Sequence, residues 1–445
     1  MKAPFNTNMY RVSPWDFDAE VTKNFDFAKD IKFHDVTLRD GEQETGVVFL
    51  PQDKVEIARQ LAKIGIDRIE AGMPAVSEQD AEACKQIAAE CKTADVFAFA
   101  RCMLVDVEKA LSCGCKGIIL EISTNRQMVE KAYNKDYEWA KQAAIDATLA
   151  AKEKGLFVSF FCIDSTRSDI NDLLSIVGDV AEKGHLDSVT LADSFGCIIP
   201  EGYAAMVRKV KDTLGKPVEA HCHMQFGLGT ANTLAALAAG ANVAHITCCG
   251  LGEGAGNTPY EEVIMALRCM YGIPLNHLRT EYFMETAKMV CEKANNHALP
   301  VNRPVLGERV FEVESGIGVM FNANAAKHND QELLYTFNPA MVGQKYMDFV
   351  MGKKSGSFTI DLWLERMGRL EGVTKEQKNE MLEKVKAFAF RKKNTLTVPE
   401  FEAIVDEVIG KPAVKPTPGN PILDQQVSRA GEQWLKDRKI YEIDL

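Results

Sequence analysis

The chain has 445 residues, 46% of them hydrophobic and 26% charged, and carries a net charge of −11 at neutral pH. That acidity speaks against nucleic acid as a partner, because phosphate binding wants a basic surface, but it leaves room for a small anion held by a few arginines. No N-terminal apolar core and no uninterrupted apolar run of spanning length is present, so the reading is a cytoplasmic protein with no membrane partner.

Residues 1–30 read as an irregular N-terminal extension, with Trp15 and Phe25 as docking points. A regular alternation then begins. Short β-rich runs fall at residues 31–39, 68–73, 96–101, 117–122, 157–162, 188–191, 218–223 and 243–248. Stretches of helical periodicity lie between them. Residues 51–65 place Val55, Ala58, Leu61 and Ala62 on one face and stop at Gly65; residues 230–239 stop at Gly240.

Eight strands alternating with helices predict an α/β fold, a (β/α)8 TIM barrel over residues 31–272; an open doubly wound sheet is the runner-up. The expected C-terminal strand ends gather Arg39, Asp40, Glu70, Arg101, Glu121, Asp164, Asp193 and the histidines 221 and 223, where a barrel keeps its active site. Beyond the barrel, residues 273–355 read as a post-barrel region, helical over 280–295 and irregular from 300. A small helical C-terminal subdomain follows at 356–410, with helices at 375–390 and 398–409. Residues 411–445 read as a linker and a tail whose 424–436 stretch could form one docked helix. Twelve cysteines without a C-x-x-C pair read as buried, reduced thiols.

The chemistry centres on Pro217-Val-Glu-Ala-His-Cys-His-Met-Gln-Phe-Gly227. His221 and His223 sit one residue apart on a strand, so both imidazoles project to one face and can reach one point. In a closed barrel the first and seventh strands share a rim, bringing Asp40 toward that pair. An amide oxygen from Asn257 completes a mixed N/O set suited to divalent Mg, Mn, Fe, Co or Zn with open positions. Such an ion can chelate a 2-oxo acid and polarise its carbonyl, while Arg39 stabilises the alkoxide formed on attack. The glycine-rich residues 250–257 lack the Lys-Ser/Thr of a phosphate loop and read as a tight turn carrying Glu253 and Asn257 toward the ion. Met103, Glu121 and Phe161 are expected to set the pocket volume.

His34-Asp-Val-Thr-Leu-Arg-Asp-Gly-Glu-Gln43, the His221-x-His223 pair and Gly250-x-Gly-Glu-x-x-Gly-Asn257 together resemble the DRE-TIM metallolyases. The nearest likeness is to their Claisen-condensing branch: 2-isopropylmalate, homocitrate, citramalate and Re-type citrate synthases. It covers roughly residues 32–360. The resemblance implies a homodimeric transferase joining an acyl-CoA, by preference acetyl-CoA, to a 2-oxo acid, giving a 2-hydroxy di- or tricarboxylic acid and free CoA. It implies Asp40, His221, His223 and Asn257 as metal ligands, and Arg39, Glu253 and Tyr335 as catalytic groups. Gln43, Glu70, Arg167 and Ser194 would bind substrate, and the post-barrel region would contribute to the active site.

The chain departs from the family pattern in places. Met224-Gln225 replaces the usual Asn-Asp, Gly254 replaces an arginine, Ser194 replaces a threonine, and Gly318 stands where a histidine helps activate the acyl-CoA. The base for the acyl α-proton is left open among Glu314, Tyr335 and His328. The Gly318 substitution motivates an alternative, a metal-dependent aldolase or lyase that cleaves a hydroxy acid.

Overall fold

The computed structural model describes residues 5–294, 298–328, 330–344, 348–412 and 429–438. The chain divides into two compact units: Pro14–Leu299, and a second made of the chain start together with everything from Pro300 onward.

The first unit is the expected barrel. Eight parallel strands, β1 (Lys32–Asp35), β2 (Arg68–Glu70), β3 (Asp95–Arg101), β4 (Gly117–Ser123), β5 (Phe157–Ile163), β6 (Ser188–Asp193), β7 (Val218–Cys222) and β8 (Val243–Ile246), close in sequence order. Closure is made by β8 on β1, with His34 opposite His245. Helices cover the outside. Pro51–Ile64 starts on a proline, which needs no partner for an N–H at that position, and stops at Gly65, whose φ of 95° only glycine adopts freely. Val55, Ala58 and Leu61 bury as the periodicity predicts, joined by Ile57 and Ile64.

The barrel interior is filled in layers. Phe97, Phe99, Ile119, Phe161 and Ala192 form an apolar cluster. Gly117 makes room for it, since a β-carbon there would lie 2.2 Å from the Phe97 ring. Buried charge also occupies the interior. Glu219 on β7 takes Arg68 Nη1 at 2.7 Å and faces His245 Nε2 at 2.8 Å; His34 Nε2 lies 3.1 Å from Glu70 Oε2. The rings of His34 and His245 stack at 4.4 Å. Buried ions are tolerable only when paired this way. All twelve cysteines are free thiols, most of them buried, while Cys197 is exposed.

The second unit contains the expected helices Lys375–Lys392 and Val398–Ile409, preceded by Ser357–Arg366. Thr374 with Gln377 and Thr397 with Glu400 make reciprocal capping boxes that fix where the two later helices begin. Trp363, Leu364, Met381, Val385, Phe401 and Val405 form their core.

A sequence expectation changes here. Residues 300–355 are not wholly irregular: Gly316–Lys327 is a helix capped by Ser315 Oγ, and Glu312–Val313 pairs in parallel with Asp348–Phe349. Two glycines in its first turn and interspersed asparagines hid that helix. Trp15 is 73% exposed, and Phe25 packs on Tyr271 at 5.4 Å. Of the tail, residues 413–428 lie outside the described residues, and the helix Arg429–Asp437 sets Leu435 against Ala340. No helix among the described residues is long and apolar enough to cross a membrane.

Candidate metal centre and substrate cavity

β1 ends sooner than expected. Asp35 Oδ1 accepts the Thr37 N–H at 2.9 Å, and the Val36 carbonyl takes the amides of Arg39, Asp40 and Gly41. The strand therefore curls into a turn that lays Arg39 and Asp40 side by side over the barrel mouth. On β7, His221 lies within the strand and His223 one residue past its end. The three side chains are buried, and one ligand atom from each falls within 4.8 Å of the others. His221 Nε2 is 3.3 Å from His223 Nε2 and 3.6 Å from Asp40 Oδ2.

Asn257 joins them through the glycine loop. Its backbone N–H donates to the Gly250 carbonyl at 3.0 Å, and Nδ2 donates to Asp40 Oδ1 at 2.6 Å. A β-carbon on Gly252 would meet that Nδ2 at 2.1 Å, and one on Gly256 would meet the Gly250 carbonyl oxygen at 2.0 Å. Those two glycines are what let the loop seat the asparagine. Asn257 Oδ1 is buried and has no hydrogen-bond partner among the described residues; a half-turn of the amide presents it to the cluster.

This donor set fits a divalent cation. Two imidazole nitrogens face each other instead of facing an acid, a carboxylate stands beside them, and a buried amide oxygen is unused. Burial, the largest influence, pushes His221 well below 6.5 and so keeps it a neutral ligand. Burial would raise Asp40, but the Arg39 guanidinium and then the two histidines hold it well below the usual carboxylate range.

Arg39 is buried and held from three sides. Nε donates to Glu70, and Nη1 donates to Asp40 Oδ2 at 2.7 Å and to Gln43 Oε1 at 3.2 Å. The guanidinium lies 3.8 Å over the Phe99 ring. Nη2 alone is buried without a partner. An arginine fixed this firmly with one free donor is arranged to meet an oxygen that gains negative charge.

These groups line a cavity of about 390 Å³ shared with Gln43, Glu121, Phe161, Ser194, Gln225 and Glu253. Glu253 stands on its exposed side, and Ser194 Oγ accepts the Asp164 N–H at 2.9 Å. Glu121 and Phe161 line it as expected; Met103, 46% exposed, does not. Two further residues differ from their expected place. Glu70 is wholly buried beneath Arg39, with its oxygens engaged by Arg39 and His34, and is absent from the lining. Arg167 also lies outside the lining: Nε and Nη2 clasp Asp164 at 2.7 and 2.8 Å, and its plane covers Phe195 at 3.6 Å.

The second unit holds the other expected groups. Tyr335 packs its ring against Phe311, and its hydroxyl is buried with no partner among the described residues. Glu314 is engaged by the backbone and side-chain nitrogens of Lys354, each at 3.0 Å. His328 is exposed, and Gly318 N–H caps onto Ser315.

Sequence reasoning did not find the part played by Phe99 or by Gln225. Gln225 Oε1 accepts the Ala255 N–H at 2.8 Å, pinning the glycine loop. A β-carbon on Gly254 would meet the same oxygen at 2.9 Å, so the two departures at 225 and 254 belong together. Their pairing is the signal that could have been read.

Fold and site together define an α/β barrel with a two-histidine, one-carboxylate centre at its mouth. The chain belongs to the HMGL-like family, whose model matches residues 30–290. It is 38% identical to homocitrate synthase AksA of Methanocaldococcus jannaschii, over 86% of this chain and 92% of that one. It is 34% identical to the 2-isopropylmalate synthase of the same organism, over 88% and 74%, and 34% identical to its (R)-citramalate synthase CimA, over 86% and 75%. Among solved structures, HMG-CoA lyase of Bacillus subtilis superposes on 60% of this chain and 95% of its own, with a TM-score of 0.54 at 20% identity, a likeness of fold.

Proposed function

We propose that the protein condenses an acyl-CoA, acetyl-CoA by preference, with a 2-oxo acid to give a 2-hydroxy di- or tricarboxylic acid and free CoA. The observation that carries this reading is the convergence of Asp40, His221 and His223 beside a buried Arg39 on one cavity. The similarity to synthases of homocitrate, 2-isopropylmalate and citramalate supports it.

Asp40, His221, His223 and Asn257 would hold the divalent cation. Bound there, it supplies Lewis acidity to the carbonyl of a 2-oxo acid. Arg39 presents Nη2 to the ketone oxygen and stabilises the negative charge that gathers there on attack, while Glu70 and Phe99 fix its plane. The apolar walls keep water from the carbanion. Ser194 and Gln43 orient the acid, and Arg167 holds Asp164 under Ser194. Glu253, at the exposed side, is assigned to the water that cleaves the thioester, with CoA leaving as thiolate.

A thiol-release assay with acetyl-CoA and a panel of 2-oxo acids, with and without chelator, tests the reading. CoA should appear only with a suitable acid and a divalent ion present. Release of an aldehyde or oxo acid from a hydroxy acid, with no thioester supplied, would replace the reading by the lyase alternative.

A further inference from the structure

The cavity has two chemically different walls. The ends of β1 and β7 and the loop after β8 carry the metal-ligand set and Arg39. Across from them stands β4. Ile119 lies in the interior apolar cluster, and strand alternation sends Glu121, two residues on, into the same interior one layer nearer the mouth. Its register neighbours are Arg101 on β3 and Phe161 on β5.

The carboxylate of Glu121 lines the cavity and accepts no hydrogen bond from any described residue. Phe161 is its neighbour on β5, and the lining also carries the apolar Met73, Phe99, Met128, Ile163 and Phe195. Among the described residues Arg39 is the only lysine or arginine of the lining; Nε and Nη1 are committed to Glu70, Asp40 and Gln43, and Nη2 is the donor assigned above to the ketone oxygen. The neighbouring guanidiniums are held elsewhere, Arg101 by Asp106 at 2.8 and 3.0 Å and Arg167 by Asp164. Among the described residues, no cation on this wall is therefore left to receive a second carboxylate.

Resting on the condensing reading above, we propose that Glu121 selects the 2-oxo acid: it accepts a hydrogen bond from a hydroxyl or primary amide at the far end of the substrate's side chain and turns away an acid ending in a second carboxylate. An unpaired acceptor on an apolar wall discriminates strongly, because the wrong substrate leaves it unsatisfied and the right one completes it. Burial pushes Glu121 up to about 7, opposed by Arg39 and Arg101 and reinforced by Glu70 and Asp106. Cys102 and Tyr133 also face it. Selection consequently sharpens as pH rises through about 7, where the carboxylate becomes fully charged.

The test compares 2-oxoglutarate with its primary amide, 2-oxoglutaramate, two acids of the same length. Each is offered with acetyl-CoA in a thiol-release assay, and each is titrated calorimetrically into the Mn-loaded protein without thioester. The amide should be favoured by roughly 30-fold in kcat/KM at pH 8, and by less at pH 6. Glu121→Gln should bring the ratio within about threefold, through KM and not kcat. Equal use of the two acids by the native protein overturns the proposal, as does an equal loss on both in the variant, which marks a merely structural role. If no 2-oxo acid releases CoA, the condensing reading falls. Calorimetry then decides the proposal separately: preference for the amide supports it, and equal or absent binding of both overturns it.

Discussion

Two histidine pairs stand one above the other in this barrel, and they are used in opposite ways. His34 and His245, deeper in the interior, stack face to face, and each turns Nε2 to a carboxylate: Glu70 at 3.1 Å and Glu219 at 2.8 Å. His221 and His223, at the mouth, turn their Nε2 atoms to each other at 3.3 Å, with a carboxylate beside them and an unused amide oxygen close by. In the deeper layer each imidazole faces a carboxylate that an arginine neutralises, Arg39 for Glu70 and Arg68 for Glu219. At the mouth the two imidazoles turn to each other with Asp40 beside them, a donor set that fits a cation. The residue type is the same; the pairing decides whether it is scaffold or ligand.

That contrast can be broken at the mouth with the largest effect. His221→Ala should lower turnover by roughly 1,000-fold or more, since it removes a ligand that no neighbour replaces, yet leave the barrel folded. Turnover and metal content by elemental analysis read the first effect, and far-UV circular dichroism the second.

The deeper layer should respond the other way round. Glu70→Gln removes one of the two carboxylates paired with the buried Arg39 guanidinium, leaving Asp40 alone, and should cost about 3 kcal/mol of stability. Denaturant unfolding measures it, and an undisturbed midpoint would show that Glu70 is not what holds Arg39.

A divalent ion sharpens the comparison more gently. At about 100 times its dissociation constant it should stabilise the native protein by about 2.7 kcal/mol, a rise of several degrees in Tm. Asp40→Asn should weaken that response, whereas His34→Gln should leave it in place. Differential scanning calorimetry with and without chelator compares the three proteins.

The smallest effect is one of pH. Burial, helped by the neighbouring His245, holds His34 at about 4 against an ordinary 6.5. The unfolded chain thus takes up a proton below pH 6.5 that the folded one refuses until about 4, and stability falls as pH drops through that window. His34→Gln removes that contribution. Its unfolding midpoint, followed from pH 7 to 4, should fall less steeply than that of the native protein.

Much of the mouth was legible because its information is local. Strand alternation alone puts His221 and His223 on one face, and eight strands closing in order set β1 against β8, whose other neighbour is β7, so Asp40 falls near the pair. The deeper layer was not legible in the same way. Glu70 read as a substrate group because it ends a strand with polar neighbours; its place under Arg39 depends on which of several buried charges reaches it first. Arg167 read as a contact for the acid, and a carboxylate three residues away claims it. The coupling of Gln225 with Gly254 spans two loops 29 positions apart in the sequence, and neither residue has a propensity that announces it.

Periodicity, glycine stops and residue spacing determined the barrel, the order of its strands and the candidate metal-binding side chains, because each is a short-range property of the backbone. Tertiary structure decided how the buried charges pair, which arginines face the cavity and which are held away, and that Glu121 lines the cavity. Those outcomes turn on a few ångströms between residues far apart in the chain. Burial makes each pairing strong enough to exclude the alternatives, and no local pattern encodes it.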